Sequence, residues 1–261
     1  MNAITGEKEI FVKSHSPNGL LVEFSICLKN IPGALAEVSS LLAKMGVNIL
    51  SGFMNFKPGE EKGRWAFVAD LKDLDVSAED ILKRLKELSS VSDADFIQAK
   101  YNSLIIDEMH FPLLVMGSNS LLFKVDSWAD MASHLLQCFG TGGAVILYEM
   151  GLKAGEAHAK DVIKEGFSGK VAFDVILSER IALGWGIPKV INFDEKNVEG
   201  LISVQGLFEC IPFKGKCKDG KSHFFRGYLV GVLKQLFGKK VKVEEVECVA
   251  KGEQNCLFKL G

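Results

Sequence analysis

The chain has 261 residues, 48% of them apolar and 25% charged, enough for packed cores in one large domain or two smaller ones. A formal charge of −2 argues against a broad nucleic-acid footprint. The opening "MNAITGEKEIFVKSHSPNG" contains no apolar leader run, and no later stretch reaches the roughly 18 apolar residues of a spanning helix. The expectation is therefore a cytoplasmic protein that binds neither nucleic acid nor membrane and keeps its six cysteines mostly reduced.

The first strand signal is "LLVEFSICLK", where Val22, Phe24, Ile26 and Leu28 alternate with polar positions, the period of a half-buried strand. A Pro-Gly turn in "NIPGAL" opens a helix whose Leu35, Val38, Leu41, Leu42 and Met45 share one face, and Gly46 ends it. "VNILSGFMNF" and "RWAFVADLK", joined by "KPGEEKG", predict a hairpin. Ser77 and Asp80 form a capping box ahead of a helix with Ile81, Leu82, Leu85 and Leu88 on its apolar face. "DADFIQAKY" is the next strand, giving the order β-α-β-β-α-β.

The texture changes near Asn102, and a boundary falls between residues 101 and 116. "SLIIDEMHFPLLVMGSNSLLFK" reads as strand-rich and "DSWADMASHLLQCFGTGG" as a helix. In the helix that follows, Gly151 and Gly155 lie one turn apart, a spacing that marks close approach of another element or else a local cost in helix stability. "HFFRGYLVGVLKQLFG" predicts another helix, and "KKVKVEEVECVA" with "NCLFKL" a closing hairpin.

Little conventional chemistry is visible. The histidines His15, His110, His134, His158 and His223 are scattered, "GTGG" lacks the Lys-Ser/Thr of a phosphate loop, and no G-x-S-x-G elbow appears. Lys239, Lys240 and Lys242 read as a solvated strand edge. What stands out is E-x2-C-x7-C at Glu245, Cys248 and Cys256, for which a metal site, a disulfide and core packing each remain open. Two thiolates and a carboxylate would supply three of the four ligands of a tetrahedral zinc, with His223 as the fourth, Cys217 as its substitute and Cys210 as a further spare. Trp185 could line an apolar pocket with Phe224 and Tyr228, or simply fill a core.

"LKNIPGALAEVSSLLAKMGVNI" resembles the ACT domain, a small amino-acid-responsive regulatory module, over residues 18–101. The resemblance implies a ferredoxin-like βαββαβ fold, pairing into a homodimer across a sheet edge, and an effector site at Asn30, Ile31, Pro32, Gly33, Ala34, Leu35 and Asn48. The family usually carries Asp where this chain has Asn30, so a charged contact to an effector amino group is missing; the loop either binds an effector or is a tight turn in a pairing module.

"YEMGLKAGEAHA", "ALGWG", "HFFRGYLVGVL" and "EEVECVAKGEQNCLF" are similar to the vinyl-4-reductase domain family, also called hydrocarbon-binding or phenol-sensor-like, over residues 117–261. That resemblance implies a mixed α/β domain with a zinc site beside an apolar ligand pocket. The family's upstream cysteine is Ser222 here, next to His223. Together the two resemblances imply an α+β protein of two domains, a ligand-sensing regulator acting through a downstream protein partner. The alternatives are an enzyme or accessory for a vinyl or aromatic substrate, or a dimeric scaffold.

Overall fold

The alternation of Val22, Phe24, Ile26 and Leu28 does form a strand, and that strand is buried on both faces rather than one. The computed structural model describes residues 6–101 and 103–261 and divides into two units between Leu121 and Leu122. The second unit thus begins slightly after the expected residue 117, because the short strands around Gly117 pair with each other inside the first unit.

The first unit contains β1 (Lys13–His15), β2 (Leu21–Lys29), α1 (Ala34–Lys44), β3 (Ile49–Asn55), β4 (Lys62–Asp70), α2 (Ala78–Lys86), β5 (Val91–Gln98), β6 (Leu104–Ile106), β7 (Leu114–Val115) and β8 (Ser118–Asn119). Its antiparallel sheet runs β3-β4-β2-β5, so β2 is internal and β3 is an edge. One face packs Val22, Phe24, Ile26 and Leu28 against Val38 and Leu42 of α1 and Ile81 and Leu85 of α2. The expected capping box is formed: Ser77 Oγ accepts the Asp80 N–H at 3.1 Å, and Asp80 accepts the Ser77 N–H at 3.3 Å. On the other face β6 pairs with β1, and Ile105 joins Leu21 and Val68 in a small second core. This cover turns Glu23 and Ser25, which the alternation places toward solvent, into buried residues.

The second unit contains α3 (Val125–Phe139), α4 (Thr141–Lys164), α5 (Gly169–Ala182), β9 (Ile187–Asp194), β10 (Glu199–Gln205), α6 (His223–Phe237), β11 (Val243–Glu247) and β12 (Cys256–Leu260), with 3-10 turns at Ile211–Phe213 and Val249–Lys251. Its sheet is antiparallel in the order β11-β12-β10-β9. The core joins Phe173 and Ile176 of α5, Ile202 and Val204 of β10, Leu229 and Val232 of α6 and Phe258 of β12.

Helices α4 and α6 meet backbone to backbone. A Cβ on Gly151 would lie 1.9 Å from Phe224 O, and one on Gly155 would lie 2.2 Å from Tyr228 O. Reciprocally, a Cβ on Gly227 would lie 1.9 Å from Tyr148 O and one on Gly231 2.1 Å from Leu152 O. Two glycine pairs at one-turn spacing therefore form a seam, and the close approach expected of Gly151 and Gly155 is present. No helix among the described residues is long and apolar enough to cross a membrane.

Candidate functional site

The closing hairpin brings Glu245 on β11, Cys248 just after it and Cys256 at the start of β12 to one place. Cys210, at the head of the Ile211–Phe213 turn, completes the set. One ligand atom from each of the four lies within 4.8 Å of the others, and all three cysteines are fully buried. Cys210 Sγ is 3.6 Å from Cys248 Sγ and 3.9 Å from Glu245 Oε1. Sulfurs bound to one tetrahedral zinc at about 2.3 Å would stand about 3.8 Å apart, so this spacing is that of a ligand shell, and it is far from the roughly 2.05 Å of a disulfide. All six cysteines are free thiols.

The electrostatics of the cluster follow from crowding. Hydrogen bonds from Cys210 and Cys256 hold the Cys248 thiol well below its ordinary range, while the Cys210 thiol, tied up with Cys248 and buried, is pushed far up. Burial raises Glu245 to about 8. Protons are thus retained that a dication would displace, as expected of a donor set built for a metal. The Val249 N–H donates to Cys256 Sγ at 3.4 Å and fixes that sulfur's direction. Gly220 leaves room for Glu245, since a Cβ there would fall 2.0 Å from Oε2.

His223 and Cys217, the expected fourth ligand and its substitute, stay outside this set. His223 opens α6 and its Nδ1 accepts from Arg226 Nη2 at 3.1 Å, one turn along the helix. Cys217 packs against the core, its backbone N–H bonded to Ala250 O. Ser222 is buried with a hydroxyl that makes no hydrogen bond to a described residue. Cys210 is legible in the sequence only as a spare, because 35 residues separate it from Glu245. Nothing in the sequence marks Glu209, whose buried carboxylate accepts the N–H groups of Phe224 and Phe225 at 2.8 and 2.9 Å. It caps α6 from a distant loop, in place of the helix's own Ser222. Burial nevertheless holds it up at about 8.

The three apolar-site residues do come together. Trp185 lies 5.6 Å from Phe224 and 5.0 Å from Tyr228 between ring centroids. Phe208 and Trp128 extend the group, with Trp128 at 5.1 Å from Phe224. The Trp128 Nε1–H is buried and has no partner among the described residues, a donor left over inside an aromatic cluster. Nothing in the sequence singles out Trp128 beyond its being a tryptophan near a helix start. At the edge of the cluster, Tyr228 OH donates to His158 Nδ1 at 2.6 Å, and His158 Nε2 lies 2.5 Å from Glu179 Oε2. The Arg180 guanidinium stacks 4.6 Å from Trp185 and 5.2 Å from Tyr228. Burial first, then Arg180, lowers His158 to about 4.

In the first unit, residues 30–35 form an exposed loop at the start of α1, with Gly33 at φ 89° and no side-chain cap on the helix. Ala34 is the buried exception. Asn30 donates through Nδ2 to Lys57 O at 3.2 Å and Glu60 O at 2.9 Å, so its amide donors tie the loop to the hairpin turn. Asn48 is exposed just before β3.

Residues 207–261 match the vinyl-4-reductase domain family. That segment includes the whole four-residue cluster. The phenol-responsive sensory domain of the transcription activator PoxR, solved with phenol, aligns with 71% of this chain and 90% of its own at 18% identity and a TM-score of 0.51. A vinyl-4-reductase family protein from Methanocaldococcus jannaschii aligns over 54% of this chain and 83% of its own, at 20% identity and a TM-score of 0.39. The ACT domain of the GTP pyrophosphokinase of Chlorobium tepidum aligns over 30% and 99%, at 12% identity and a TM-score of 0.26. The likeness to the PoxR domain is one of fold, and the two lower scores carry no argument. No curated protein matches the chain in sequence.

Proposed function

We propose that this chain is a regulatory protein that senses an apolar, aromatic small molecule in its second unit. Zinc would be held there by Cys210, Glu245, Cys248 and Cys256, where it would tie the Cys210 turn to the closing hairpin. The observation that carries this is the buried three-thiol, one-carboxylate set inside the segment that matches the vinyl-4-reductase family. The aromatic group of Trp128, Trp185, Phe208, Phe224 and Tyr228, with its unpartnered indole N–H, supports a ligand with a ring and one acceptor oxygen. Phenol, found with the PoxR domain of similar fold, is such a molecule.

The first unit we assign to the ACT type, with a ferredoxin-like βαββαβ sheet. The loop at residues 30–35 is its effector or pairing element, and the exposed apolar residues Ile49, Leu50 and Met54 make edge strand β3 the seam of a cytoplasmic homodimer. Output passes to a downstream protein. Native mass spectrometry of the full chain, with and without phenol, tests the sensing assignment. One zinc and a phenol adduct lost in Trp128→Phe are expected; a metal-free chain that takes up no phenol would overturn it.

A further inference from the structure

Glu23 lies at the middle of β2, on the face covered by β1 and β6, with its side chain fully inaccessible to solvent. Neither carboxylate oxygen receives a hydrogen bond from any N–H or O–H group of the described residues. An ion placed this way costs several kcal/mol unless something neutralises it. Two further groups converge on it from the segment after β6. Asp107 and His110 are three residues apart, and one ligand atom from each lies within 4.8 Å of the other and of a Glu23 oxygen. His110 Nδ1 is 3.4 Å from Glu23 Oε1 and 2.8 Å from Asp107 Oδ1.

The surroundings hold this imidazole still. Its Nε2 meets Ser25 Oγ at 2.9 Å, and Arg64 Nη1 donates to that same hydroxyl at 2.6 Å. The Phe53 ring stands edge-on to His110 at 4.9 Å. Asp107 Oδ1 accepts the backbone N–H groups of Met109 and His110, both at 3.1 Å, so the loop that presents the two side chains is braced from within. A histidine that coordinates through one nitrogen is commonly fixed by a hydrogen bond from the other, which is the place Ser25 occupies.

We propose that Glu23, Asp107 and His110 form a second, thiol-free site for a divalent first-row cation, zinc foremost, separate from the cysteine cluster. Nitrogen and oxygen ligands bound at about 2.0 Å in a tetrahedron stand about 3.3 Å apart. The His110–Glu23 pair already has that spacing, and the His110–Asp107 pair reaches it by opening about half an ångström as the cation replaces their hydrogen bond. One imidazole and two carboxylates balance a double positive charge and satisfy the otherwise partnerless Glu23. The competing occupant is a proton shared by Glu23 and Asp107.

The test is equilibrium dialysis of the metal-stripped full chain against Co2+, counting total cobalt while the thiolate-to-cobalt charge-transfer band counts only the cysteine site. Wild type should bind one equivalent beyond the share that the band accounts for. Glu23→Gln and His110→Ala should each lose that equivalent and leave the band intact, whereas Cys248→Ser should do the reverse. Ser25→Ala should weaken the second equivalent about 10- to 100-fold through the loss of its brace on His110. Wild type that binds no cobalt beyond the thiolate-associated share, or Glu23→Gln that keeps the extra equivalent, overturns the site and favours the shared proton. A missing band alone overturns only the cysteine zinc.

Discussion

Replacing Cys248 by serine exchanges a polarizable sulfur for a hydroxyl that does not ionise near neutral pH, and a tetrahedral zinc then loses one of its softest ligands. Elemental analysis of Cys248→Ser and Cys210→Ser should show zinc falling from about one equivalent to a small fraction of that. His223→Ala and Cys217→Ser should keep the metal, since neither side chain belongs to the set. His158 offers a check on protons. It ionises near its ordinary 6.5 in the unfolded chain but only at about 4 in the fold, so stability held above pH 6.5 is surrendered as pH falls through that window. Tyr228, Arg180, Glu179 and Asp161 are the polar groups around it, and the Asp161 carboxylate opposes the shift. Denaturant midpoints for His158→Gln between pH 7 and pH 4 should therefore vary less than those of the wild type.

Elements show more plainly where sequence suffices. The β-α-β-β-α-β order is readable because its helices and strands have different apolar periods, and the capping box at Ser77 carries its partner three residues on. Glu23 is not readable as buried, because the alternation of β2 reports one face and the cover on the other comes from residues 104–110, far along the chain. Cys210 is unreadable as a ligand for the same kind of reason: a turn and a hairpin meet only in the folded unit. The glycines of α4 are suggestive by spacing, but their meaning depends on Gly227 and Gly231 answering them from α6. Gly151→Ala or Gly227→Ala forces a methyl into a carbonyl and should destabilise the chain by about 1 to 3 kcal/mol or more in urea unfolding. Glu209→Ala strands two buried N–H groups at the start of α6 and should cost about 2 to 3 kcal/mol, with Glu209→Gln recovering part of it.

At the scale of the whole molecule, the proposed pairing depends on an edge strand that leaves Ile49, Leu50 and Met54 exposed. Sedimentation of the wild type should show a dimer, and Met54→Lys with Ile49→Lys should shift it toward monomer by placing charge on that edge. The glycine seam has a mechanical consequence for any sensor built on the second unit. Where two helices touch through their main chains there is no side chain to swing aside, so the wall carrying Phe224 and Tyr228 behaves as an anvil. Its opposite wall, bearing Trp128, is α3, a helix whose fully buried residues are the small Ala129 and Ala132. A guest entering among the rings must therefore push α3 outward and leave α6 where it stands. Hydrogen exchange on adding phenol should change along residues 125–139 while residues 223–237 remain quiet.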